Sequence, residues 1–232
     1  MHSPYSDQLN CQASKKTDLY FGRINLDHID KNDLSFESPG GVFLKVKYFL
    51  NYLGAAFLFC AMFPIMLAAA FTIKVADGGP VLYTQIRVGL NNQDFALYKF
   101  RSMRLIHQPH NLDSDNARVT WVGRFIRRSK IDELPQLYNV LIGEMSLIGP
   151  RPEKRDLVNE YEQQITQYAC RHTVKPGITG WAQVQHGYVS NLEQTFVKLE
   201  YDLYYIKYLS LRLEMLILAK TLVLVAKGFL NR

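Results

Sequence analysis

Asp132 and Glu133 stand side by side, directly before Leu134-Pro135 and a short apolar run. A carboxylate just outside a helix N-terminus is favoured by the helix dipole and the free backbone amides, so either residue is a candidate N-cap. The other chemistry open to such a pair is attack of one carboxylate on phosphorus, with its neighbour assisting a metal or a substrate. Adjacent carboxylates beside arginines suit Mg2+, which takes carboxylate and phosphate oxygens. Residue types alone favour the cap, and both readings stand.

Cations lie on either side of this pair in the sequence. Lys99 and Arg101 are two apart in a strand-like run, so their side chains share a face roughly 6–7 Å apart, near enough to grip one diphosphate. Arg124, Arg127 and Arg128 have i, i+3, i+4 spacing and share one side of a short helix. Arg151 sits between Pro150 and Pro152, which stiffen its backbone. The guanidinium fork matches phosphate oxygens. One such cation is an ordinary solvated charge; several beside tight turns point to an anion site. A formal net charge of +6 agrees with a polyanionic partner. His107, His110, His172 and His186 show no metal spacing and are given no role. Cys11, Cys60 and Cys170 fit no zinc or redox signature, and their odd number argues for a reducing compartment.

The elements that must position these groups follow from the pattern. Residues 1–42 are polar, contain Pro4, Pro39, Gly40 and Gly41, and read as a loosely ordered extension with no secretory signal. Tyr48 to Ile73 is an uncharged apolar run, longer than the roughly 20 residues that span a bilayer. Lys45 and Lys47 precede it and Lys74 follows it, so neither end is favoured to cross. Pro64 removes a backbone hydrogen bond inside the run. A helical hairpin broken at Pro64 and a kinked spanning helix both fit. Beyond Lys74, residues 80–88 and 95–101 read as two strands of a hairpin around a turn at 89–93. Residues 105–117 read as a loop. Short helices are expected over 121–128 and 135–142, and longer ones over 153–168, 192–209 and 211–230. The last two mix apolar residues with Tyr and Lys, as in helices lying at a membrane interface; core packing is the competing explanation.

Several blocks in order resemble one known family. Gly79-Pro80-Val81 with Gln85-x-Arg87-x-Gly89, then Tyr98-Lys99-Phe100-Arg101-Ser102-Met103, resembles the opening of the bacterial sugar transferases, the monotopic phosphoglycosyl transferases. Ser129-Lys130-Ile131-Asp132-Glu133-Leu134-Pro135-Gln136-Leu137 looks like their catalytic segment. Met145 to Pro152 resembles their Pro-Arg-Pro bend, and Lys175 to Trp181 and Asp202 to Ile206 resemble later blocks. The likeness runs from about Lys45 to the C-terminus.

The resemblance implies an α/β (α+β, mostly helical) small globular catalytic core. It carries an N-terminal re-entrant membrane helix broken at Pro64 and amphipathic interfacial helices. The implied division is an extension at 1–42, the membrane helix at 43–74 and the catalytic domain at 75–232. The implied reaction moves a sugar-1-phosphate from a UDP-sugar to polyprenyl (undecaprenyl) phosphate, releasing UMP, at the start of surface-glycan synthesis. Asp132 would be the nucleophile and carry a covalent sugar phosphate. Glu133 would help hold Mg2+ with Asp132 or orient a group. Lys99, Arg101, Arg127 and Arg151 would contact phosphate. The implied location is the cytoplasmic face of the bacterial plasma membrane, against membrane lipid and with no nucleic acid. Asn51 departs from the family's frequent Asp in Lys-x-x-x-Asp, so no charge-based role is carried to it. A membrane-tethered nucleotide-diphosphate hydrolase and a basic membrane adaptor are the competing functions.

Overall fold

The computed structural model describes residues 22–24, 26, 41–104, 119–186 and 192–230. The expected loop at 105–117, with His107 and His110, lies outside them, as does most of the extension.

Helix α1 (Gly41–Asp77) is continuous through Pro64. It is long and apolar enough to cross a membrane, and little of its apolar window is buried inside the molecule. The face it does bury forms a stripe: Lys47, Asn51 and Ala55 at one end, and Ala69 and Ile73 at the other. Four-residue spacing puts each set on one side of the helix. The first end packs on helix α3 and strand β3, and the second on helix α2, all defined below. Away from the stripe, Phe57 and Phe71 are each 72% exposed, and Phe49, Phe63, Ile65 and Leu67 are exposed too.

The hairpin appears as expected, with β1 (Leu82–Val88) antiparallel to β2 (Asp94–Phe100) and Tyr83 opposite Lys99. Its turn places Asn91 and Asn92 in the left-handed region, which asparagine tolerates. Arg155 fixes that turn by donating to the Asn92 side chain (2.6 Å) and to Asp94 (2.6 Å).

Helix α2 (Trp121–Arg128) begins at Thr120, whose hydroxyl accepts from the Gly123 amide at 2.8 Å. A short 3-10 turn, Ile131–Glu133, leads to α3 (Gln136–Leu141). Asn139 of α3 is fully buried. Its amide accepts from Tyr98 N (3.2 Å) and donates to Ala96 O (2.7 Å), so α3 is tied along β2.

Strand β3 (Ser146–Ile148) leads through the Pro150–Pro152 bend to α4 (Arg155–Gln164) and a 3-10 segment, Tyr168–Thr173. Residues 175–180, whose Pro and Gly are turn-forming types, include β4 (Gly177–Thr179), parallel to β3. The two backbones approach too closely for side chains: a Cβ on Gly177 would lie 2.1 Å from Gly149 N. The order ends with α5 (Trp181–Gln185), α6 (Leu192–Lys207) and α7 (Leu211–Leu230). The described residues are thus mostly helical, with two small sheets.

The main core joins Ile148, Val158, Tyr168, Trp181, Leu199, Leu203, Tyr205 and Ile217. Ile24 enters the same core and is wholly buried. Its amide donates to Glu200 O (3.2 Å), and the Trp181 indole donates to Gly22 O (2.6 Å). The described part of the N-terminal extension is therefore a packed strap over α5 and α6.

Candidate active site

The 3-10 turn that carries Asp132 and Glu133 is entered through Lys130 in the left-handed region (φ 58°). Glu133 N donates to Lys130 O (3.1 Å) and Leu134 N to Ile131 O (3.1 Å). Pro135 stands at the N-cap position of α3, and no side chain caps that helix. The cap reading of the carboxylates therefore gives way: both belong to the preceding turn.

The two carboxylates have opposite surroundings. Glu133 Oε1 accepts from Lys99 Nζ at 3.0 Å and from Arg151 Nη2 at 2.7 Å. Burial alone would raise its pKa, but Arg151 and Lys99 outweigh burial and hold it at about 2. Asp132 Oδ1 is buried and has no hydrogen-bond partner among the described residues. Burial raises the Asp132 pKa, the charge on Glu133 raises it further, and Lys99, Lys130 and Arg127 oppose the shift. One carboxylate is engaged by two cations, and the other keeps an uncommitted oxygen and the greater basicity. Such a split sets two adjacent acids to different tasks.

Arg151 is aimed by a buried scaffold that the residue pattern did not expose. Arg171 and Asp202 form an ion pair at 2.8 Å, with both side chains 2% exposed. The same guanidinium donates to Arg151 O (2.8 Å) and to Tyr168 Oη (2.9 Å). Arg87 donates to Pro152 O (3.1 Å), and Gly177 N donates to Pro150 O (2.9 Å). Glu153 pairs with Arg87 (3.6 Å) and with Lys198. Each carbonyl of the Pro-Arg-Pro bend thus has its own donor. The signal in the sequence was slight: Asp202 stood in a recognised block, but a helical Asp is usually solvated.

The remaining expected residues fall at different places. Arg127 Nε donates to Ser102 Oγ at 2.7 Å, and Arg127 acts electrostatically on Asp132. Arg124 and Arg128 are exposed. Arg101 is 5% exposed and packs beneath Gly79, where a Cβ would meet its Nη1 at 2.1 Å. It lies just past the end of β2, and no bond to Glu133 accompanies that of Lys99. His172 is buried, and burial together with Arg171 lowers its pKa to about 3, so it is neutral.

Asn51, the departure from the family pattern, is a brace. Its Oδ1 accepts from Ser146 Oγ (2.9 Å) and Leu147 N (2.8 Å), while its Nδ2 donates to Lys47 O (2.8 Å). Lys47 Nζ donates to Ser146 Oγ (3.0 Å) and Ile148 O (2.9 Å), with the Glu214 carboxylate at 3.4 Å. This network anchors α1 to β3 and α7.

Among the described residues no three His, Cys, Asp or Glu side chains gather into a metal cage. Mg2+ often takes only one or two protein carboxylates and completes its shell with substrate phosphate and water. The unpartnered Asp132 Oδ1 fits an ion of that kind.

Residues 43–228 match the family model described as bacterial sugar transferase. The chain is 45% identical over 211 residues to a UDP-N-acetylgalactosamine-undecaprenyl-phosphate N-acetylgalactosaminephosphotransferase of Aeromonas hydrophila, covering 90% of this chain and 50% of that protein. It is 42% identical over 188 residues to a UDP-glucose:undecaprenyl-phosphate glucose-1-phosphate transferase of Xanthomonas campestris, covering 78% and 39%. An uncharacterized sugar transferase of Bacillus subtilis is 41% identical over 186 residues, covering 79% of this chain and 89% of that protein. The chain thus spans half or less of the first two relatives.

The Glu133 geometry has a pH consequence. A carboxylate whose pKa is depressed on folding contributes stability above its unfolded value and loses it as pH falls through the folded value. For Glu133 that window runs from the ordinary 4.5 down to about 2. Chemical denaturation in metal-free buffer should find Glu133→Gln less stable than wild type by up to about 3 kcal/mol at neutral pH. The gap should be flat above pH 4.5 and close towards pH 2. A gap that widens on acidification contradicts the pairing.

Proposed function

The chain belongs to the bacterial sugar transferase family, and from that premise we propose that it transfers a sugar-1-phosphate from a UDP-sugar to undecaprenyl phosphate. The observation that carries the reading is the division of labour between Asp132 and Glu133. A carboxylate oxygen of Asp132 attacks the β-phosphorus of the UDP-sugar. An oxygen–phosphorus bond forms on Asp132, the bond from the β-phosphorus to the bridging oxygen breaks, and UMP leaves with that oxygen. A phosphate oxygen of the polyprenyl phosphate then attacks the same phosphorus, frees Asp132 and yields the polyprenyl-diphospho-sugar. An ionised carboxylate needs no general base for this attack. Lys99 and Arg151 offset charge on the transferring phosphoryl group, and Arg127 lies near enough to assist. Asp132, with Glu133 beside it, would hold Mg2+, which would add to the neutralisation of the diphosphate.

We also propose that α1 enters and leaves the membrane on one side, the cytoplasmic one. Both ends of its buried stripe pack on the same globular body, Lys47 to Ala55 on β3 and α3 and Ala69 to Ile73 on α2. A straight crossing would carry one end away from that body. Pro64 lies between the two packed ends, where the missing hydrogen bond eases a bend. Exposed Trp121 and Phe125 on α2, and Leu211, Met215 and Leu222 on α7, support helices resting in the interface. This arrangement sets the carboxylates beside a lipid-borne acceptor.

A panel of UDP-sugars, assayed with undecaprenyl phosphate for UMP release, tests the reaction. One sugar should support acceptor-dependent UMP release that Asp132→Asn abolishes and excess EDTA stops until Mg2+ is restored. Equal release without acceptor would make the protein a hydrolase, and near-normal release by Asp132→Asn would remove Asp132 as nucleophile. Topology is tested by single cysteines at Ser38 and Thr84 in a cysteine-free background in intact cells. Both should resist a membrane-impermeant maleimide until the cells are opened; labelling of one site from outside makes α1 a spanning helix.

A further inference from the structure

Strand β1 presents one face to the Glu133 cluster, and three of its side chains share that face. Tyr83, Gln85 and Arg87 alternate with Leu82, Thr84 and Ile86, and side chains two apart point the same way. Arg87 donates to the Gln85 side chain at 2.7 Å, which confirms the shared face for that pair. Arg87 lies in the electrostatic reach of Tyr83, Arg151 and Glu133 alike. Independently, the hairpin register sets Tyr83 directly opposite Lys99, the lysine that bonds Glu133 at 3.0 Å. Residues directly opposite in an antiparallel pair point to the same side, with Cβ atoms about 4.5–5.5 Å apart. Two lines of placement thus put the Tyr83 ring on the rim of the cation–carboxylate cluster.

The ring is out of place there on packing grounds. Tyr83 is 47% exposed, whereas Leu97 and Phe95, on the opposite strand further along the same face, are buried under α3. A half-exposed aromatic beside a phosphate-binding group has a ready use. Every nucleobase has a π-face, and stacking on an aromatic ring holds a base without reading its edges. The cations hold the diphosphate, and the nucleoside must extend from it along one wall of the site.

Resting on the transferase reading above, we infer that Tyr83 is the platform on which the uracil ring of the UDP-sugar stacks, with Lys99 and Arg151 holding the adjoining diphosphate. Tyr83 is then a binding residue for the nucleotide half of the donor. It makes no contact with the acceptor lipid.

The test uses the full chain in nanodiscs and three substitutions: Tyr83→Phe, Tyr83→Leu and Tyr83→Ala. Equilibrium binding of UMP and of inorganic pyrophosphate is measured first, then KM and kcat with the UDP-sugar, with thermal unfolding as a check on folding. Loss of one base stack weakens binding by about tenfold or somewhat more. Tyr83→Ala and Tyr83→Leu should weaken UMP by that factor and raise KM for the UDP-sugar in parallel. Their kcat, pyrophosphate binding and KM for polyprenyl phosphate should stay within twofold of wild type. Tyr83→Phe should match wild type in all of these, because it keeps the ring. UMP binding to Tyr83→Ala within twofold of wild type overturns the inference and leaves the transferase reading intact. So does an equal loss of UMP and pyrophosphate, which would mean that the ring only arranges the cations. No uridine nucleotide binding by wild type would overturn both.

Discussion

Glu133 Oε1 is the point on which the site depends. One oxygen accepts from Lys99 of the hairpin and from Arg151 of the Pro-Arg-Pro bend, and so ties three segments together that lie far apart in the sequence. Two cations that would otherwise repel are held together by one buried charge. The cost of burying that charge is met only because both partners are in place. Each partner has its own support. Asn139 fixes β2, which carries Lys99, while Arg171 and Asp202 fix the carbonyl of Arg151. With Glu133 so occupied, Asp132 is the neighbour that keeps an uncommitted oxygen.

A second constraint ties the site to the long apolar helix. Helix α1 is apolar on nearly every side, yet the stripe it buries holds Lys47 and Asn51. Their bonds reach Ser146, Leu147 and Ile148 of β3, the strand that runs into the bend carrying Arg151. The long apolar helix and the Pro-Arg-Pro bend therefore share one strand. Glu214 and Tyr205, joined at 2.5 Å, bring α6 and α7 to the same point. A short polar chain thus links the long apolar helix to the strand that leads into the Arg151 bend.

Much of this was legible in the residues, for reasons of period and punctuation. The strand alternation and the Asn91-Asn92 turn marked the hairpin, and α2 lies over the expected residues. The final helices also fall where their pattern puts them, apart from two residues at the end of α6. The parallel pair β3–β4 was hidden because its strands are three residues each and rest on glycines that read as turn. The Asp132-Glu133 pair could be located but not placed: a cap and a separate turn have the same local sequence, and only the fold puts Pro135 at the N-cap position and brings Lys99 and Arg151, distant in the chain, onto Glu133. Arg171 and Glu153 carried no local signal and Asp202 only that of its block, since burial and pairing of a charge are products of the tertiary fold. The burial of Arg101 was not legible for the same reason. Alternation put it on the Lys99 face, but the strand ends at Phe100 and Arg101 turns under Gly79.

The proposed reaction turns on covalent loading of Asp132. The direct measurement is mass spectrometry of the intact wild-type protein, mixed with its preferred UDP-sugar and Mg2+ in the absence of polyprenyl phosphate and quenched rapidly. The expected result is a mass gain of one sugar phosphate, mapped to the peptide bearing Asp132 and discharged when polyprenyl phosphate is added. Product formation with no adduct under any quench, or an adduct on another residue, would contradict it.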